Sequence, residues 1–260
     1  MSETHRDAVV DVRGLTKIYP DHSGGEGTRA VDDVDFDCCP GEIFGLLGLN
    51  GAGKTTTLRM LSTALTPTAG HASIAGFDVV QQSREVRENI GFLSGTTGLY
   101  HRLTAREMIS YFGELHGLGG VALQRRVDTL VETFGIADYA GQRCEKLSTG
   151  MKQKVNIART VIHDPPVLVL DEPTSGLDVL AASTTLDFVD EVRRSGKCVI
   201  FSTHIMSEAE RLCDRIAIIH GGTVRAIGTL DELRERTGCH YLEDVFRSLA
   251  RPDAPEVTAP

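Results

Sequence analysis

The stretch IFGLLGLNGAGKTTTLRML, residues 43–61, leaves its surroundings little freedom in how to fold. Residues 43–48 are an apolar run short enough for a strand buried on both faces. Leu58, Leu61 and Leu65 recur at helical spacing, which predicts a helix over 54–65 stopped by Pro67. The turn joining the two, GLNGAGKT (48–55), fits G-x-x-x-x-G-K-[ST] with the required strand before it and helix after it. Glycines there let backbone N–H groups wrap a phosphate, and the helix N-terminus adds its positive dipole end. Gly48, Asn50, Gly51, Ala52, Gly53, Lys54, Thr55 and Thr56 are therefore candidate nucleotide contacts. Lys54 would reach the β- and γ-phosphates and Thr55 would place its hydroxyl on Mg²⁺. A glycine-rich turn with a stray lysine would leave both flanks to coincidence.

A second stretch, VLVLDEPTSGLD (167–178), runs four apolar residues straight into Asp171 and Glu172. Two like charges at about 6 Å repel by roughly 3 kcal/mol at an effective dielectric near 20. A Mg²⁺–nucleotide beside this strand end would supply the countercharge. Strand alternation sends the two side chains apart, so Asp171 is expected to serve the metal and Glu172 to polarise the attacking water. An acidic surface turn is the plain alternative, and the buried approach argues against it.

The rest of the chain reads as an α/β fold. Strands are expected at 9–19, 30–38, 71–79, 89–93, 167–170 and 198–202, with a hairpin over 215–228 turning at Gly221-Gly222. The loop PDHSGGEGTR (20–29) reads as exposed and mobile. Between 103 and 163 the pattern turns helical: TARE (104–107) is a capping box opening a helix through His116, a second helix ends at Gly135, and a third runs from Ser148 to before Pro165. A further helix is expected across 179–194, and two short ones, 230–236 and 242–250, close the fold.

With LSTGMKQK (147–154) added, these motifs resemble the ATP-binding subunit of an ABC transporter. The order agrees: phosphate loop, helical insertion, signature, the paired acids, a loop ending in Asp178, then His204. The resemblance implies a P-loop NTPase of ABC type with a mixed, mainly parallel sheet core, an antiparallel N-terminal β region and an inserted helical subdomain. It implies one ABC ATPase domain over 1–250: nucleotide-binding core 9–95 and 164–230, helical subdomain 96–163, C-terminal helices 231–250, and a disordered tail 251–260. The roles implied are catalysis by Lys54, Glu172 and His204, metal binding by Thr55 and Asp171, and contact by Ser148 and Gly150 with the γ-phosphate held in a second subunit. Asp178 resembles the residue coupling the two sites of such a dimer, and Tyr19 in KIYP the aromatic that stacks on adenine.

Two positions depart from the family pattern. Thr149 stands at the third place of L-S-G-G, and IGFLSG (90–95) puts Gly95 where the family carries a glutamine. Ser94, Thr96 or a water is expected to fill the coordination place that the missing side chain leaves. The wording GFLSGTTGLYHRLTARE, STGMKQK and LEDVF resembles the sodium-efflux-type branch, whose members serve exporters with ABC-2-type membrane subunits. That implies ATP and Mg²⁺ as cofactors, a transmembrane permease partner, a second ATP-binding subunit forming a homodimer, and a place on the cytoplasmic face of the membrane. Tyr100, Tyr111, Phe112 and Leu115 in 99–119 are a candidate docking surface, with ordinary core packing as the alternative.

Composition narrows the competing readings. The N-terminus has no apolar core for a signal peptide, and no run approaches the ~20 apolar residues of a membrane span, so attachment to a membrane would come through a partner. A net charge of −9 without a basic block does not suit nucleic acid, which weighs against a soluble ABC-type ATPase acting on DNA or ribosomes. The single phosphate loop weighs the same way. No N-K-x-D sequence supports a GTPase. Six cysteines without a C-x-x-C pair read as reduced thiols rather than a zinc or disulfide framework.

Overall fold

The computed structural model describes residues 8–21, 27–95 and 98–250. The stretch 22–26 of the loop read as mobile, Thr96, and the tail 251–260 lie outside the described residues. Two sheets organise the fold. β1 (Val10–Tyr19), β2 (Thr28–Cys38), β4 (Ala69–Ile74) and β5 (Phe77–Asp78) form an antiparallel sheet in the order β2-β1-β4-β5. β3 (Ile43–Leu47), β6 (Ile90–Leu93), β7 (Val167–Asp171), β8 (Cys198–Thr203), β9 (Arg215–His220) and β10 (Thr223–Gly228) form the other, ordered β10-β9-β3-β8-β7-β6. It is parallel except for the β9–β10 hairpin. Every residue of β3, β7 and β8 is buried, which is why these segments carry no polar alternation: layers cover both faces.

One face packs against the antiparallel sheet, where the Phe36 and Phe44 rings stack at 5.0 Å. The other face packs against α3 (Ala105–Leu115), α4 (Gly120–Thr133), α5 (Thr149–Thr160) and α6 (Val179–Arg194). Met108, Ile109, Val127 and Val155 from these helices share one apolar cluster with Ile43, Leu168 and Phe201 of the sheet, so the helical insertion has no core of its own. α8 (Leu230–Thr237) and α9 (Leu242–Leu249) close a third cluster over Ile216, Ile218 and Ala226. Thr104 and Glu107 make the expected reciprocal cap of α3.

The structure corrects three sequence expectations. The helix after the phosphate loop, α1 (Lys54–Leu61), ends well before Pro67. Thr63 takes a left-handed φ of 62°, and its N–H donates to the Met60 carbonyl, so the chain turns away. Residues 71–79 are a hairpin rather than one strand, because Ala75 and Gly76 both adopt positive φ (51° and 82°), the geometry of a tight strand reversal. Two short helices, α2 (Ser83–Glu88) and α7 (Met206–Leu212), were not anticipated.

His116 and His163 join the helical layer to the sheet. Their rings stack with centroids 3.6 Å apart, and His163 Nε2 lies 3.1 Å from the Ile90 carbonyl at the start of β6. Burial, reinforced by the His116 ring, lowers the His163 pKa from 6.5 to about 4. Between those two values the unfolded chain binds a proton that the folded chain refuses. Stability is therefore full above pH 6.5 and falls as pH drops toward about 4. His163→Leu should flatten that part of the profile, raising the melting temperature at pH 4.5 relative to wild type by about 3–6 °C once the difference at pH 8 is subtracted. Calorimetry of the two proteins checks it, and parallel profiles would refute it.

Candidate nucleotide and metal site

Three strands deliver their carboxyl ends to one place. The glycine loop leaves β3, the paired acids leave β7, and His204 follows β8, which lies between them. A parallel sheet gathers functional residues at that edge because all its strands point the same way.

The loop is shaped by its glycines. Gly53 has φ 108°, and a Cβ there would lie 2.7 Å from the Ala30 carbonyl oxygen, so only glycine fits between the loop and β2. Gly53 is also the N-cap of α1 and carries no side chain to cap it, which leaves the first-turn N–H groups directed at the loop. A cavity of about 350 Å³ adjoins this cradle, lined by Gly51, Ala52, Lys54, Thr55, Thr56 and Tyr19 among others. Asn50 lines it too, while Gly48 sits beneath, packed so tightly that a Cβ would meet the Ile219 carbonyl at 2.6 Å.

Lys54 is buried, and its Nζ donates to the carbonyls of Gly48 (2.8 Å) and Leu49 (3.3 Å) and lies 3.2 Å from Glu172 Oε1. A buried ammonium needs such partners, since isolating it would cost several kcal/mol. This ion pair also revises the expectation for the paired acids: Lys54 itself supplies Glu172 with a countercharge. Asp171 instead accepts hydrogen bonds from Ser202 Oγ (2.8 Å) and Thr55 Oγ1 (3.2 Å). The two carboxylates diverge for a different reason from the one predicted. β7 stops at Asp171, and Glu172 adopts a left-handed φ of 48°, so a turn rather than strand alternation separates them. The Glu172 N–H donates to Ser202 Oγ (3.0 Å), which holds that conformation in place.

His204 Nδ1 comes within 3.3 Å of Glu172 Oε1 without the alignment of a hydrogen bond, and it is buried without another partner. The next turn is fixed by Thr203, whose hydroxyl donates to the buried Glu208 (2.6 Å) and accepts from the Ile205 N–H (3.0 Å).

The residues present fit both a triphosphate and Mg²⁺. For the phosphate there is a cradle that a Cβ would fill, a buried ammonium, and a buried imidazole nitrogen without a hydrogen bond. For the metal, the Thr55 hydroxyl and an Asp171 oxygen stand together, which is the sparse hard-oxygen set that Mg²⁺ uses when phosphates and waters complete its shell. Among the described residues no cluster of three or more His, Cys, Asp or Glu could hold a metal without such help.

The remaining predicted residues lie apart. Ser148 caps α5, accepting from the Met151 N–H (3.3 Å), and Asp178 caps α6, accepting from the Ala181 N–H (2.9 Å). A Cβ on Gly150 would lie 3.3 Å from Ala181 Cβ, which places the two helix starts side by side. Neither Ser148 nor Gly150 lines the cavities around Lys54. Tyr19 does stand at the mouth of the phosphate cavity with Thr28 and Ala30. Ser94 and Gly95 line a second cavity, about 360 Å³, which shares Asn50, Thr55 and Glu172 with the first. Sequence reasoning missed three neighbours of the site. They are Ser202, which bonds both acids' backbone or side chain, Gln153, whose amide donates to the Pro173 carbonyl (2.5 Å), and Asn156. Tyr100, Tyr111 and Leu115 are exposed, whereas Phe112 turns inward beneath the Arg159 guanidinium, 4.6 Å from its ring centroid. No helix among the described residues is long and apolar enough to cross a membrane.

Residues 31–175 match the ABC transporter family. The chain is 44% identical over 221 residues to the ABC transporter ATP-binding protein NatA of Bacillus subtilis, covering 85% of this chain and 90% of that one. It is 38% identical over 241 residues to the daunorubicin resistance ATP-binding protein DrrA3 of Streptomyces coeruleorubidus, covering 93% and 74%. Among solved structures, the ATP-binding cassette MJ0796, a dimer in a post-hydrolysis state with ADP and Pi, superposes with a TM-score of 0.77 at 26% identity over 85% of this chain and 98% of that one.

Proposed function

The chain belongs to the ABC transporter family as an ATP-binding and hydrolysing subunit, and from that premise we propose that two copies of it enclose Mg²⁺–ATP and drive export through a separate membrane permease of ABC-2 type. The observation that carries the reading is the meeting of Lys54, Asp171, Glu172 and His204 at the carboxyl ends of three parallel strands.

In this reading the loop amides and Lys54 hold the β- and γ-phosphates, with Gly48, Asn50, Gly51, Ala52, Gly53 and Thr56 shaping the cradle. Thr55 and Asp171 hold Mg²⁺, which when bound neutralises charge on the phosphate oxygens. Glu172 orients the attacking water and accepts its proton, and His204 contacts the γ-phosphate. Tyr19 stacks on adenine. Ser148, Gly150 and Asp178 face the partner copy. Support for that face comes from Val179 and Leu180, apolar residues 84% and 80% exposed right beside Asp178. Residues 1–250 act as one ATPase domain in which 96–163 form a helical subdomain, and exposed Tyr100, Tyr111 and Leu115 mark its permease-facing side. The protein then sits at the cytoplasmic face of the membrane through its partner. The NatA and DrrA3 relatives favour an exporter.

Coexpression with a multi-span permease of ABC-2 type tests the reading. The chain should sediment with membranes only when that protein is present, and ATP hydrolysis should require Mg²⁺. Recovery with polysomes or chromatin instead would overturn the transporter assignment.

A further inference from the structure

The second cavity holds a polar group that nothing above has used. Asn156 lies one turn beyond Gln153 on α5, and both line this cavity together with Thr55, Asp171, Ser94 and Gly95. Gln153 is committed to the Pro173 carbonyl. Among the described residues Asn156 is committed to none: its side-chain oxygen is buried without a hydrogen-bond partner, and its amide nitrogen makes no hydrogen bond to them. Leaving a buried carboxamide oxygen unsatisfied costs about 1–3 kcal/mol, so the group calls for a partner from outside the chain, a water or a ligand. The oxygen and nitrogen of this amide exchange places about its last torsion without breaking a hydrogen bond, so either end can serve the cavity that Asn156 lines.

Gly95 makes the position specific. Among the described residues a Cβ built on it would meet only the Asp171 carbonyl oxygen, at an ordinary contact distance of 3.6 Å, and Gly95 has no positive φ. The backbone would thus accept a long side chain at 95 reaching the same cavity, yet the chain carries none there. The one uncommitted carboxamide on the helix facing this gap is Asn156.

We propose that Asn156 is a positioning residue for the metal–nucleotide, its side-chain oxygen accepting a hydrogen bond from a water on Mg²⁺ and so supplying from α5 the amide that residue 95 lacks. The proposal rests on the reading of Thr55 and Asp171 as the metal site, and the experiment separates the two. The full-length chain and Asn156→Ala are loaded with a non-hydrolysable ATP analogue and freed of excess. Mn²⁺ is then titrated in and followed by electron paramagnetic resonance, with analogue binding in EDTA measured alongside. Asn156→Ala should hold Mn²⁺ about 10-fold more weakly, in the range for losing an outer-sphere partner, while binding the analogue in EDTA as tightly as wild type. Adding Gly95→Gln to Asn156→Ala should restore Mn²⁺ affinity. Equal Mn²⁺ affinity in wild type and Asn156→Ala, or failure of Gly95→Gln to restore it, overturns the assignment. Failure of Asp171→Asn to weaken Mn²⁺ binding would overturn the metal site beneath it instead.

Discussion

Glu172→Gln should cut ATP turnover by about 10²–10⁴-fold, the usual contribution of a positioned general base, while nucleotide binding survives. Glutamine keeps the shape of the side chain and its acceptor oxygen but cannot take a proton. The backbone that aims it, with its left-handed φ of 48° and the N–H bond to Ser202 Oγ, does not depend on the charge. With chemistry stalled and Lys54 still in place, ATP should accumulate on the protein and hold two copies together. Single-turnover phosphate release gives the rate, and light scattering with and without Mg²⁺–ATP gives the mass. Normal turnover in this variant would remove Glu172 from the mechanism.

Lys54→Ala should fail earlier, at binding. A unit charge about 4 Å from a phosphate is worth roughly 4 kcal/mol at an effective dielectric near 20. The ammonium must also give up part of its contact with the Gly48 and Leu49 carbonyls and Glu172 to make that interaction. A net loss of about 10²-fold in ATP affinity is expected, read from titration with a fluorescent ATP analogue. The effect on folding should be smaller, because the Glu172 carboxylate left without its countercharge is partly exposed and water can solvate it. Melting temperature and affinity should therefore separate. Should affinity hold within a few fold, the cradle works through its backbone amides and Lys54 serves only to neutralise Glu172.

The strand–loop–helix unit and the four-apolar-residue approach to Asp171 were legible because a fully buried strand leaves an unbroken apolar run and a helix with one buried face leaves a periodic one. The spans of α6 and of the β9–β10 hairpin were readable for the same reason. What escaped notice was short or stereochemically unusual. α2 buries only Val86, and α7 spans seven residues and opens without a side-chain cap, so neither sustains a repeat long enough to read or marks where it starts. The reversal at Ala75-Gly76 lacks the Asn-Gly or Asp-Gly pair that advertises such a turn. Within the site, residue identities were apparent but partnerships were not. No spacing rule reveals that Ser202 bonds Asp171 across two strands, or that Lys54 answers the charge of Glu172. Asn156 did leave a signal, a carboxamide set among Val155, Ile157 and Ala158, and a polar residue there calls for an explanation.

The distance between the Ser148–Gly150 turn and the Lys54 cradle carries a kinetic corollary. If each reaction centre is completed only by a neighbour's turn, catalysis is second order in chain at low concentration, and activity per milligram rises as the solution is made more concentrated. A population containing some defective copies would lose more throughput than their number suggests, since every mixed pair is compromised. Dilution and dominant poisoning are thus two faces of one divided architecture.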